Sequence, residues 1–365
     1  MDATTREETA RPLGVIGCLA AGFEMVGRHL WLVILPVMLD LFLWLGPRLS
    51  VDPLWQQFVA LLATQPVPDP AAASQVTQIA QMLKQLGEQF NMLSILGALP
   101  LLNLPSLLAS HPPGALSPLG QSSVFEITGV LALLFWWVML LPVGLLLGFL
   151  YLSGVARPVR AMRDADETDP AQEEAGGMEG HSEAASFPGE RSSHLYTHGL
   201  GKFVRVFLFA AALLALGMVL IPIWMLLIGV VLTVAQPLGL LAWALSIGLG
   251  SYVVLHFLFV IPGVLVGQRG LLRAIWESAL LIHTNFSSVV GLVLLVLVIY
   301  EGLGFVWSLP SGDSWSLLIG ILGNSCIATG LTAAIFVYYQ ERVGRLPELH
   351  RMSMSARAGN RNGDG

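Results

Sequence analysis

Six stretches of this 365-residue chain are apolar over about 20 residues or more: 30–49, 124–152, 203–235, 238–266, 289–309 and 315–339. A helix rises about 1.5 Å per residue, so about 20 apolar residues carry it across a hydrocarbon core of about 30 Å. No water reaches such a core, and each backbone amide must find its partner within its own segment, which makes the six stretches helices. Composition agrees. Charged residues make up 12% of the chain and hydrophobic residues 55%, against about 25% charged in a soluble domain, so lipid has to cover much of the surface. The expected fold class is therefore all-α, an integral membrane bundle of six transmembrane helices.

Basic side chains set the expected topology, because lysine and arginine are retained in cytosolic loops. With six crossings and the N-terminus inside, Arg6, Arg11, Arg28, Arg157, Arg160, Arg163, Arg191, Lys202, Arg205, Arg269, Arg273, Arg342, Arg345, Arg351, Arg357 and Arg361 all fall on the cytosolic side, 16 of 18, leaving Arg48 and Lys84 outside. Splitting the long third stretch at Pro222 would move Arg269, Arg273 and the basic tail outward, so it counts as one span. A multi-pass protein of the cell membrane with both termini cytosolic is expected. Arg6, Glu7, Glu8, Arg11, Glu24 and Arg28 precede the first long apolar run, which argues for an uncleaved signal anchor over a cleaved leader.

The chain then divides into a cytosolic N-terminus at 1–29, a first span at 30–49, an outer loop at 50–123 and a second span at 124–152. A cytosolic acidic loop at 153–202, a four-span part at 203–340 and a basic tail at 341–365 follow. In the outer loop Val76, Ile79, Leu83, Leu86, Phe90 and Leu93 recur at steps of three and four, one stripe of a helix. Its readings are packing on the protein's own helices, a partner helix, or the outer leaflet. The next stretch, 95–108, is apolar but broken by Pro100 and Pro105, too short to cross, and expected at the interface. The second loop carries Asp164, Asp166, Glu167, Asp169, Glu173, Glu174, Glu179, Glu183 and Glu190 among Gly, Ser and Ala, a disordered composition. It accounts for much of the net charge of -6, and nothing in that balance points to a nucleic-acid partner. Arg157, Arg160 and Arg163 form a basic collar just before it.

Pro36, Pro142, Pro222 and Pro262 lie inside spans and read as ordinary kinks or as hinges. Gly144 with Gly148 and Gly263 with Gly267 have the spacing that lets two helices approach closely. Cys18 and Cys326 fall in different expected environments, which argues against a structural disulfide.

An internal repeat is visible. Leu13, Ile16, Leu19, Ala20, Phe23 and Val26 share a face, so 13–28 reads as an amphipathic helix lying along the membrane before the first span. The segment 271–284, inside an interfacial helix set at 270–284, repeats this before the fifth, with Gly22-Phe23 aligned on Ser278-Ala279 and His29-Leu30 on Asn285-Phe286. A weaker third instance is 195–202, so the architecture expected is three units, each an interfacial helix followed by two spans.

The run Gly270-Leu271-Leu272-Arg273-Ala274-Ile275-Trp276-Glu277-Ser278, followed by Asn285-Phe286 and a new span, resembles the membrane domain that precedes the catalytic domain in some bacterial glycerophosphodiester phosphodiesterases and occurs in many stand-alone membrane proteins. The catalytic barrel of those enzymes has no counterpart here, so the resemblance implies a membrane bundle and carries over no activity and no site residue.

Ionisable groups inside a membrane are costly and are default site candidates. Asp40 in the first span, His256 in the fourth and Glu301 in the fifth qualify, with Glu126 at the start of the second and Asn324 and Ser325 in the sixth. Asp40 and Glu301 stand at similar distances from the cytosolic starts of their helices, so they reach similar depths and either share a proton or cation path or serve separately as helix glue. Glu190, His194 and His198 are spaced as metal ligands only on a helix, and the surrounding sequence is loop-like, so no metal is expected. No nucleophile elbow, phosphate loop, metalloprotease motif or zinc-spaced cysteine pair occurs. These observations favour a non-enzymatic scaffold or accessory protein acting in the bilayer, without cofactor and with membrane lipids as partners. A transporter or channel using Asp40 and Glu301 is the alternative, and a homo-oligomer or a partner membrane protein stays open.

Overall fold

Among the described residues of the computed structural model, five helices are long and apolar enough to cross a membrane: Val130–Met162, Phe203–Leu232, Gln236–Leu265, Phe286–Trp307 and Leu317–Val343. Val15–Arg28 and Leu30–Leu45, broken at His29, add a sixth candidate when the two are counted as one. The structure describes residues 13–63, 74, 77–78, 80–82, 84–85, 87, 90–99, 101–112, 116–167 and 188–344, with side chains left undescribed at 62–63, 116, 163–200, 202 and 233. In chain order the helices are α1 (Val15–Arg28), α2 (Ile34–Leu45), α3 (Asp52–Ala63), α4 (Leu107–Ser110), α5 (Val130–Glu167), α6 (Pro188–Val234), α7 (Gln236–Phe257), α8 (Val260–Leu265), α9 (Leu271–Thr284), α10 (Phe286–Trp307) and α11 (Leu317–Val343). Tight 3-10 turns occupy Leu30–Val33 and Met92–Leu96, and short strands β1 (Arg48–Ser50), β2 (Leu116–Ser117), β3 (Gly120–Gln121) and β4 (Val124–Glu126) complete the described elements.

Several boundaries differ from the sequence reading. The first span stops at Leu45, because Gly46 and Pro47 cannot continue a helix there. Residues 30–45 then reach only about 24 Å at about 1.5 Å per residue, short of a full hydrocarbon core. The second span starts at Val130, not at 124. Val124–Glu126, an extended Val-Phe-Glu segment ahead of the helix-breaking Gly129, pairs in parallel with Arg48–Ser50, so Glu126 is an exposed strand residue and not the start of a helix. The third span is unbroken at Pro222, in keeping with a single crossing. Helical backbone also runs into the acidic loop, through Glu167 at one end and from Pro188 at the other. Proline fits a first helical turn, where its missing N–H has no partner to lose. The acidic residues between 168 and 187, the tail beyond 344 and Val76, Ile79, Leu83 and Leu86 of the amphipathic stripe lie outside the described residues.

The chain divides into two compact units, one formed by 29–152 with 296–329 and the other by the remaining residues. In the first, Leu96, Leu99, Leu102, Leu104, Leu107 and Leu108 of the stretch after Asn91 are all buried, Leu102 and Leu104 fully so, and belong to the core of this unit. The glycines of α5 explain this. A Cβ at Gly148 would overlap the Leu102 carbonyl, and one at Gly144 would crowd Leu99 and Leu96, so the smooth face of α5 receives a loop where the sequence suggested a second helix. Asn91 ties the same stretch to β1, its side-chain oxygen accepting from the Leu49 and Leu93 amides at 3.0 and 3.2 Å. Trp44, at the end of α2, donates its indole N–H to the Gly312 carbonyl at 2.7 Å and meets Trp315 edge-on.

In the second unit the two interfacial helices of the expected repeat match in length and in buried positions. Shifting α1 by 256 positions brings Val15–Arg28 onto Leu271–Thr284, end to end. Cys18, Gly22, Met25 and Val26, buried in α1, then fall on Ala274, Ser278, Leu281 and Ile282, buried in α9. Each helix also rests on a crossing helix through its central small residue. Gly22 lies so close to the backbone of Gly330 and Ala334 in α11 that a Cβ would overlap it, while the Ser278 hydroxyl donates to the His256 carbonyl at the end of α7 at 2.7 Å. The proposed third interfacial helix, 195–202, is not a separate element, since it runs straight into the span within α6.

Candidate functional site: a buried carboxylate in the first span

Asp40 projects from α2 into the interior of the first unit, where it has no exposed surface. An unpartnered carboxylate there would cost several kcal/mol, on the order of the desolvation penalty of a single ion. Three donors meet it. The Ser106 hydroxyl donates to Oδ1 at 2.5 Å, the Leu107 amide to Oδ2 at 3.0 Å and the Leu108 amide to Oδ1 at 3.1 Å. Both amides belong to the first turn of α4, whose N–H groups have no partner within the helix, and Ser106 caps that turn by accepting from the Ala109 amide at 3.0 Å. Asp40 thus completes the cap from a different part of the chain. None of the three donors is a cation, and none comes from Glu301, Asn324 or Ser325.

Glu301 lies on α10 with its side chain exposed. Asn324 and Ser325 are buried in α11, and neither the Asn324 amide nitrogen nor the Ser325 hydroxyl has a hydrogen-bond partner among the described residues. The adjacent Thr329 hydroxyl instead bonds back to the Ser325 carbonyl at 2.6 Å. The structure therefore does not gather Asp40, Glu301 and Asn324 at one set of hydrogen bonds.

His256 belongs to the other unit. Its Nδ1 bonds with the Tyr252 carbonyl one turn earlier at 2.8 Å, and since a carbonyl only accepts, the proton sits on Nδ1. The Tyr252 ring packs against the imidazole with centroids 4.3 Å apart. This is a histidine satisfied within its own helix. Glu190, His194 and His198 fall on helical backbone, where a spacing of four aligns them, but their side chains lie outside the described ones. Among the described residues no group of His, Cys, Asp and Glu could hold a metal ion.

Ser106, the residue that defines the Asp40 site, stands in a loop and offers no sequence signal beyond a Pro-Ser-Leu-Leu start of a short helix. Comparison with known proteins adds nothing to this geometry. No protein-family model matches the chain, and neither the curated proteins nor the solved structures contain a match. The resemblance to the phosphodiesterase membrane domain rests on its residues alone.

Proposed function

We propose that this protein is a non-enzymatic scaffold or accessory protein of the cell membrane, with both termini in the cytosol. The observation that carries the reading is the state of Asp40. A carboxylate serving a transport path must exchange its partners with a passing ion and with water, whereas this one is fully enclosed and already takes three hydrogen bonds from residues 106–108. Its work is to fasten the segment after the first span onto that span. The four middle spans support the reading in another way: between 11% and 17% of their most apolar stretches is buried, so most of their side chains are left to lipid or to another membrane protein.

Flux across liposomes reconstituted with wild type and with Asp40→Asn/Glu301→Gln tests it. Wild type is expected to conduct no more than empty liposomes for protons, sodium, potassium or chloride. A specific flux that the double variant loses would reverse the proposal in favour of a transporter that uses the two carboxylates.

A further inference from the structure

We propose that the start of α9 is a binding site for anionic phospholipid, the headgroup phosphate held by Arg269 and Arg273 and the acyl boundary by Leu272 and Trp276. The inference requires only that the spans lie in a bilayer, and so it goes beyond the scaffold reading. Its centre is Glu277, whose side chain is only 12% exposed. One oxygen of that carboxylate receives Arg273 Nε at 2.9 Å and Arg269 Nε at 3.5 Å, while the other accepts from the Tyr339 hydroxyl at 3.4 Å. Gly263 and Gly267 leave room for that hydroxyl, since a Cβ on either would stand 3.2 or 3.0 Å from it.

Two guanidinium groups on one carboxylate leave an excess positive charge. These contacts use the Nε edge of each fork, and the side chains stay 40% and 65% exposed. An arginine anchored in this way has given up much of its rotamer freedom before any ligand arrives, which favours bidentate pairing with phosphate oxygens.

The apolar half of the site lies beside it. Leu272, Trp276 and Leu280 follow at steps of four and are all exposed, Leu272 at 83% and Trp276 at 71%. With Arg273 they fall within roughly 100° of the helix circumference at 3.6 residues per turn. Such a mixed face is unfavourable in water and suited to the membrane interface, where tryptophan sits at headgroup level and leucine reaches the acyl chains. Only Asn285 separates α9 from the apolar α10, so a bilayer crossed by α10 begins within a few residues of this helix.

The repeat supplies an internal contrast. Ile16 of α1 stands where Leu272 does and is 77% exposed, but Leu13, Gly17 and Ala21 replace Arg269, Arg273 and Glu277. Helix α1 therefore offers lipid an apolar surface with no headgroup clamp.

The experiment uses the full chain in neutral detergent, titrated with phosphatidylglycerol, phosphatidylcholine or inorganic phosphate, with bound lipid read by native mass spectrometry and stability by the thermal unfolding midpoint. Wild type is expected to retain phosphatidylglycerol in preference to phosphatidylcholine and to be stabilised by it. In Arg269→Gln/Arg273→Gln its affinity should fall by about tenfold or more, as loss of a charge-assisted phosphate contact implies. Arg28→Gln at the end of α1 should leave it unchanged. Should the double variant fail to fold because Glu277 is left unpaired, Arg269→Gln/Arg273→Gln/Glu277→Gln removes that charge as well and gives the same reading. The proposal is overturned by undiminished phosphatidylglycerol affinity in either variant, by equal retention of phosphatidylcholine in wild type, or by inorganic phosphate reproducing the stabilisation, which would mark a free-anion site.

Discussion

Ser106 and Asp40, 66 positions apart in the chain, share a buried hydrogen bond of 2.5 Å, and through it the loop after the first span is fixed to that span. The same hydroxyl caps α4, so one side chain serves a local turn and a long-range contact together.

Removing either partner should loosen the loop. Asp40→Ala leaves the Ser106 hydroxyl and the Leu107 and Leu108 amides without their acceptor, at about 1–3 kcal/mol per buried unsatisfied group. Ser106→Ala costs less, about 1–2 kcal/mol for the lost cap and the lost hydrogen bond. The double variant should fall short of the sum by about 0.5–3 kcal/mol, the coupling of contacting residues. Denaturant melts of all four proteins measure this, and strict additivity would mean the pair is not coupled.

Close approach at Gly148 gives a second expectation. Gly148→Ala drives a methyl into the Leu102 carbonyl and should destabilise by about 1–3 kcal/mol, as overpacking does. Gly291→Ala in α10, where a Cβ meets nothing within 4 Å, should be neutral or stabilising by up to about 1 kcal/mol. Thermal unfolding in detergent distinguishes them, and equal midpoints would contradict the packing of 96–102 on α5.

Cys18 should be inert. It has no exposed surface, and burial, with Glu341 adding to it and Arg342 opposing, pushes its thiol up to about 11. The thiolate is the reactive form, so in Cys326→Ser protein at pH 8 alkylation of folded Cys18 should be negligible and should climb about tenfold per pH unit toward pH 11, while denaturation at pH 8 exposes an ordinary thiol. Rapid labelling of native protein at pH 8 would show that α1 is not seated on α11.

Orientation is tested by cysteines placed at Gln85 and at Ala184. An impermeant thiol reagent applied to intact cells should modify the first and spare the second. The opposite pattern would invert the assignment of the basic loops to the cytosol.

The two halves of the repeat should differ in their tolerance. Gly22→Ser copies the residue found at the matching place in α9, yet its Cβ would overlap the backbone of Gly330 and Ala334. A loss of about 1–3 kcal/mol is expected. Ser278→Gly, the reverse exchange, removes the bond to His256 and adds backbone freedom, for about 1–2 kcal/mol. If Gly22→Ser proves harmless, α1 does not rest on α11 as described.

Local sequence was enough to find the long apolar helices, though not their exact ends, because crossing a hydrocarbon core imposes length and apolarity on each segment separately, and both can be counted along the chain. The same locality made α1 and α9 legible, since a recurring amphipathic stripe belongs to one helix at a time and aligned at the right offset. Partners were not legible. The Gly144 and Gly148 spacing announced a close approach without saying that a loop carbonyl would fill it, and the depth of Asp40 and Glu301 said nothing of which way either side chain faces. A periodic pattern specifies the face of its own helix, while the group that meets that face is chosen by the chain's return path, which put Ser106 beside Asp40, Tyr339 beside Glu277 and Glu301 at the surface.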